Sequence, residues 1–200
     1  MNSDKKKTYA SAAGLIKPAA YNKILYDQTT QELMVQSERM VPDFAQTSVS
    51  LPILIYKMRN LVCDENVRSK IFGSKSFFGF ASDVPTAGLC MSFNFVIFWL
   101  TGNYRVWRPI ILEESRKYNW DMGRHVALES TTIKDENGDD EILDTTKDQF
   151  PKNLAIPWQH AVQTDFDYCM NDGYNLAELI DPKLALQIRR NIDMAAGGRY

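Results

Sequence analysis

Two histidines and three cysteines set the options for covalent chemistry in this chain: His125 and His160, with Cys63, Cys90 and Cys169. A thiol beside an imidazole is a nucleophile with its own base. The sulfur attacks an electrophilic carbon, and the ring takes and returns the proton. Cys90 is the best placed of the three cysteines. It follows Gly88-Leu89 and opens the apolar stretch that runs to Leu100. At the first turn of a helix the positive end of the dipole favours a thiolate, and a nearby histidine does the same. Gly88 lets another backbone approach closely. The N–H groups of Met91 and Ser92 would face an oxyanion.

His125 opens an alternating segment, His125-Val126-Ala127-Leu128-Glu129, and Asp144 closes a second one, Glu141-Ile142-Leu143-Asp144. Between them lies a charged loop, Lys134 to Asp140, with the turn signal Asn137-Gly138. This is the pattern of a β-hairpin, in which the start of one strand lies beside the end of the other. Direct pairing of His125 with Asp144 puts the turn centre between Lys134 and Asp135. A turn centred on Asn137-Gly138 instead sets Asp144 opposite Thr131. A loop of about eight residues, or a bulge, reconciles the two. Asp144 would then accept a hydrogen bond from one ring nitrogen and aim the other at Cys90.

The order of Cys at a helix start, His opening a strand and Asp closing the next resembles that of papain-like and transglutaminase-like enzymes. The segment 125–129, followed by Ile142-Leu-Asp-Thr-Thr-Lys-Asp-Gln-Phe150-Pro151, is similar to a pattern of uncharacterised bacterial and phage members of that superfamily, H-x-W-x-E … I-x-D-x-T-x-x-Q-F. Gly88-Leu89-Cys90 before an apolar helix is similar to their nucleophile motif. The likeness covers residues 86–151, roughly a third of the chain. The chain departs from the pattern at Ala127, where an aromatic residue is common, and no oxyanion-hole Gln or Asn stands out upstream of Cys90.

The resemblance implies an α+β fold with a papain-like or transglutaminase-like core, the nucleophile helix packed on a small antiparallel sheet. It implies hydrolysis or acyl transfer at an amide or thioester carbonyl through a covalent intermediate on Cys90, with His125 as base and Asp144 as orienting acid. The substrate would be a protein, peptide or other amide, and no cofactor would be needed. Peptidase, amidase, deamidase and transglutaminase-like reactions all stay open. The alternative is a binding or structural protein that keeps the fold without catalysis.

The elements that must position these residues can be read outward from them. The stretch from Leu89 to Leu100 is apolar nearly all round and ends at Gly102, as expected of a buried central helix. Upstream, Leu51-Pro52 starts a helix behind the cap Ser50, with Leu54, Met58 and Leu61 on one stripe. A short helix follows, capped by Asp64, carrying Val67 and Ile71 and stopping at Gly73. Residues 74–87 read as a loop with aromatic anchors, Phe77, Phe78 and Phe80. Tyr104 to Trp107 reads as a short strand ending before Pro109, and Ile110 to Tyr118 as a helical turn or two with Glu113 and Glu114 on its face. Asp181-Pro182 caps a final helix through Leu184, Ile188 and Ile192 to Gly197-Gly198. Residues 1–20 are expected to form an N-terminal arm, and 21–200 a single domain.

The chain has 200 residues, 44% of them apolar and 24% charged, enough for a sizeable core. Its formal charge of −2 argues against nucleic acid as a partner. The basic run Lys5 to Lys7 reads as a solvated tail. No apolar run approaches the roughly 20 residues that span a bilayer, and no secretory leader is apparent. The expectation is a cytoplasmic protein, or one delivered into another cell. The three cysteines form no CxxC pair, which argues against a zinc ribbon or a disulfide framework, and no metal-ligand spacing such as HxxxH occurs. A rival dyad, His160 with Cys169, lies in a polar, irregular segment. Glu129 reads as a hydrogen-bonded strand carboxylate, and Gln149-Phe150-Pro151 as structural, with Phe150 anchoring the chain that leaves the hairpin.

Overall fold

A computed structural model describes residues 21–42, 49–72, 84–118, 120, 122–166 and 170–197. The expected arm at 1–20, most of the aromatic loop at 74–87, Gly73, Cys169 and Gly198 lie outside them. The described residues form a mixed α+β fold of six helices and one four-stranded antiparallel sheet. The helices are α1 (Lys23–Glu38), α2 (Leu51–Leu61), α3 (Glu65–Ile71), α4 (Cys90–Leu100), α5 (Met170–Ile180) and α6 (Pro182–Gly197). The strands are β1 (Trp107–Leu112), β2 (His125–Lys134), β3 (Asp140–Leu143) and β4 (Val162–Gln163), in spatial order β3-β2-β1-β4.

The all-round apolar helix sits where its composition requires. α4 touches α2, α5, α6, β1 and β2. Its Phe93, Phe95, Val96, Ile97 and Phe98 are wholly buried in a core that also takes in Leu54, Met58 and Leu128. α5 crosses it at Gly173, where a Cβ would lie 2.2 Å from Phe95 Cδ1, so only glycine allows this approach. The caps at Asp64 and Asp181 act as expected, each side chain accepting from the backbone N–H two residues on. Ser50 precedes α2 with Pro52 in the first turn, but its hydroxyl makes no capping bond.

Three elements differ from the sequence reading. α1 had no signal, because two of its four buried positions are Thr30 and Ser37 beside Tyr26 and Leu33. Its polar seam shows no apolar stripe, although Asn22 caps it by accepting from the N–H groups of Ile24 and Leu25. Residues 103–105 form a 3-10 turn rather than a strand, and β1 runs through Pro109 instead of stopping before it. Within a strand, the N and O of one residue point the same way, and the Pro109 carbonyl accepts from Thr164 N at 3.0 Å. The missing proline N–H therefore points past the end of the two-residue β4, where no ladder partner is needed. Finally, Ile110 to Leu112 belong to β1, and only Arg116–Tyr118 make a 3-10 turn. Glu113 and Glu114 lie in the exposed loop between, not on a helix face.

Candidate active site

Gly88 has a φ of 73°, a left-handed conformation that a side chain would strain. It follows a turn in which Leu89 N donates to Thr86 O at 3.1 Å, and it delivers Cys90 to the first position of α4. Cys90 is only 6% exposed.

His125 is the first residue of β2, wholly buried, opposite Leu112 of β1. Asp144 lies one residue past β3, and its Oδ2 meets His125 Nε2 at 2.8 Å. Neither plain hairpin register expected from the sequence is observed, and the bulge is what reconciles them. Lys134 faces Asp140 across the turn, whereas Glu129 faces Ile142 and Leu128 faces Leu143 near the site. Four residues separate Glu129 from Lys134, but only one separates Ile142 from Asp140, so β2 carries a bulge. Ser130, itself buried, supplies the missing acceptor there. Its Oγ takes hydrogen bonds from Thr132 N at 3.2 Å and Ile133 N at 3.0 Å. The bulge lets a turn containing Gly138, at φ 86°, coexist with Asp144 beside His125.

Asp144 is fixed from its other side, where Oδ1 accepts from Thr146 N at 3.2 Å. Its carboxylate and the Cys90 thiol are the ionisable groups that favour a proton on the ring. Burial works against a charged imidazole, but these two partners outweigh it and hold the pKa of His125 above its ordinary value, at about 10. Phe150 meets the ring edge-on at 4.6 Å, and Trp158 and Trp120 lie at 5.2 and 6.3 Å. Phe150 and Trp120 join Leu112 in a small apolar cluster separate from the main core. Phe150 thus anchors the chain after the hairpin, as its sequence position suggested.

The structure brings Cys90, His125 and Asp144 together and adds Gln149, which sequence reasoning assigned to a structural role. Gln149 Nε2 lies 3.2 Å from His125 Nδ1 and 3.1 Å from Thr146 Oγ1, and its Oε1 accepts from Gly88 N at 3.3 Å. Its place in the Q-F pattern shared with the resembling sequences was the one available signal. A second layer holds the loops. Arg59, wholly buried on α2, donates to Thr145 O at 2.7 Å and forks onto both Asp148 oxygens at 2.9 Å. Asp148 also accepts from Thr86 Oγ1 at 3.0 Å. Asn94, one turn beyond Cys90, donates to Val126 O at 2.8 Å and ties α4 to the histidine strand.

Two open cavities flank the site. One, of about 800 Å³, is lined by Asp144, Lys147, Trp158 and the carboxylates of the hairpin. The other, of about 320 Å³, lies between α1 and the segment 147–156 and has Phe150 in its wall. The remaining candidates take no part. Glu129 pairs with Arg108, and His160 is exposed and stacked on Tyr118 at 3.6 Å, while Cys169 lies outside the described residues. Among the described residues no group of three or more His, Cys, Asp or Glu could hold a metal ion. None of the described helices is long and apolar enough to cross a membrane.

No protein-family model, curated protein or solved structure matches this chain.

Proposed function

We propose that the protein is a cysteine hydrolase or acyl transferase with a papain-like or transglutaminase-like core, acting on an amide or thioester carbonyl. The observation that carries this reading is the 2.8 Å bond between His125 Nε2 and Asp144 Oδ2, with Cys90 at the start of α4 near enough to act on the charge of the same ring. Asp144 fixes the imidazole, and Nδ1 takes the proton from Cys90 Sγ. The sulfur attacks the carbonyl carbon, forming a C–S bond and a tetrahedral oxyanion. The amine or thiol leaves with the proton that His125 returns, giving a thioester. Water, or an acceptor amine in the transferase case, then attacks the thioester while His125 takes its proton, and Cys90 departs with that proton restored. A protein or peptide in the cytoplasm, or in a cell into which the chain is delivered, is the substrate class this reading carries.

A second reading, a binding protein without catalysis, is favoured by the burial of Cys90 and His125, at 6% and 0% exposed. Alkylation of the native protein by iodoacetamide from about pH 5 to pH 9, with peptide mass spectrometry, separates the two. On the first reading Cys90 is modified rapidly at about pH 6, and His125→Ala slows this by at least tenfold. Cys90→Ala abolishes turnover while the protein stays folded. A Cys90 that stays inert until unfolding, while exposed Cys63 reacts, establishes the second.

A further inference from the structure

Resting on that reading, we propose that Gln149 is a positioning residue that opposes a proton on Nδ1 of His125, so that the neutral ring carries its hydrogen on Nε2. The contact with Gly88 orients the amide. A backbone N–H can only donate, so the Gln149 atom that meets Gly88 N at 3.3 Å is the oxygen. The amide nitrogen then faces Thr146 Oγ1, which can accept, and His125 Nδ1, which can accept only when it carries no proton. Nε2 must in turn hold the hydrogen that Asp144 Oδ2 receives.

The titratable groups facing the ring are Asp144, from the end of β3, and Cys90, from α4. Gln149, Trp120, Phe150 and Trp158 complete its surroundings and do not titrate there. Asp144 and Cys90 draw a second proton onto the imidazole, and Gln149 resists it. When the Cys90 proton passes to Nδ1, two donors confront each other unless the amide turns away. Swapping its ends in place would only set an NH₂ against the Gly88 N–H. Gln149 is 8% exposed and held at three points, so the turn disrupts contacts with both the nucleophile loop and the acid turn. Thiolate formation is thereby coupled to the movement of one side chain.

The test reads the ring itself. Full-length protein labelled with ¹⁵N has two histidines to resolve, His125 and the exposed His160. Imidazole ¹H–¹⁵N correlation spectra across pH give the tautomer and midpoint of each. Gln149→Met removes the donor at similar length, and Gln149→Glu replaces it with an acceptor. The His125 midpoint rises by about one pH unit in Gln149→Met and further in Gln149→Glu, while His160 does not move. Where a midpoint falls beyond the folded range, the Nδ1 shift at one fixed pH moves toward its protonated value in the same order. A dispersed backbone amide spectrum matching wild type certifies folding, and either variant alone carries the test. A His125 midpoint and Nδ1 shift that stay put in the folded variants overturn the proposal, whether or not Cys90 reacts with iodoacetamide. A shifted ring beside an inert Cys90 upholds the role of Gln149 while refuting the hydrolase.

Discussion

A proton binds more tightly to His125 in the folded protein than in the unfolded chain, because Asp144 and Cys90 reach it only after folding. The unfolded ring titrates near about 6.5, and the folded one at about 10. The stabilisation from this pair is therefore complete below the unfolded value and is lost as pH climbs through the folded one. Asp144→Asn keeps the shape of the contact and removes the charge that holds the proton. Urea midpoints should fall with rising pH in the wild-type protein across that window and vary less in the variant. Equal slopes would mean that Asp144 is not the group holding the proton. At this scale the sequence was informative. Cys90, His125 and Asp144 stood out because histidine and cysteine are scarce and each sits at the boundary of an element. Gln149 did not, because a glutamine has chemistry only through what it touches.

Elements were legible where their apolar pattern was strong. α4 is apolar on every face, and α2 and α6 carry clean stripes, so all three were readable to within a residue or two of their ends. α1 hides its buried seam behind hydroxyls, and β1 tolerates a proline because its neighbour β4 is only two residues long. The hairpin was legible as a hairpin but not in register, since nothing in the residues of β2 announces a bulge. Its determinant is the Ser130 hydroxyl, which satisfies two backbone donors that the ladder abandons. Ser130→Ala leaves those donors without that acceptor at a part-buried site, at a cost of about 0.5–1.5 kcal/mol. The loss should also loosen the register that sets Asp144 beside His125. Hydrogen exchange should quicken at Thr132 and Ile133 first, and protection equal to wild type there would remove Ser130 from this role.

Across the whole molecule, one guanidinium gathers segments far apart in sequence. Arg59 donates to Thr30 Oγ1 on α1 at 2.7 Å and lies 4.2 Å from the Tyr26 ring centroid. Through Thr145 and Asp148 it reaches the acid turn, and through Asp148 the loop before Cys90. No periodicity exposes such a hub, since a lone arginine in an amphipathic helix reads as a surface charge. Arg59→Met removes the counter-charge of a mostly buried Asp148 and should cost roughly 3–5 kcal/mol. Thermal denaturation followed by circular dichroism measures it. A loss below about 1 kcal/mol would place the pair among the weak surface ion pairs instead.

The aromatic walls of the site have an optical consequence. Trp120 and Trp158 both lie within 6.3 Å of the His125 ring, whereas Trp107 is buried at the base of β1 and Trp99 packs on Phe98 and Tyr104. A protonated imidazole quenches a neighbouring excited indole by accepting an electron, and the neutral ring does so far less. Two of the four tryptophans therefore darken and brighten with the charge on a single histidine. The protein carries a built-in fluorescent gauge of the charge on His125, legible without any label.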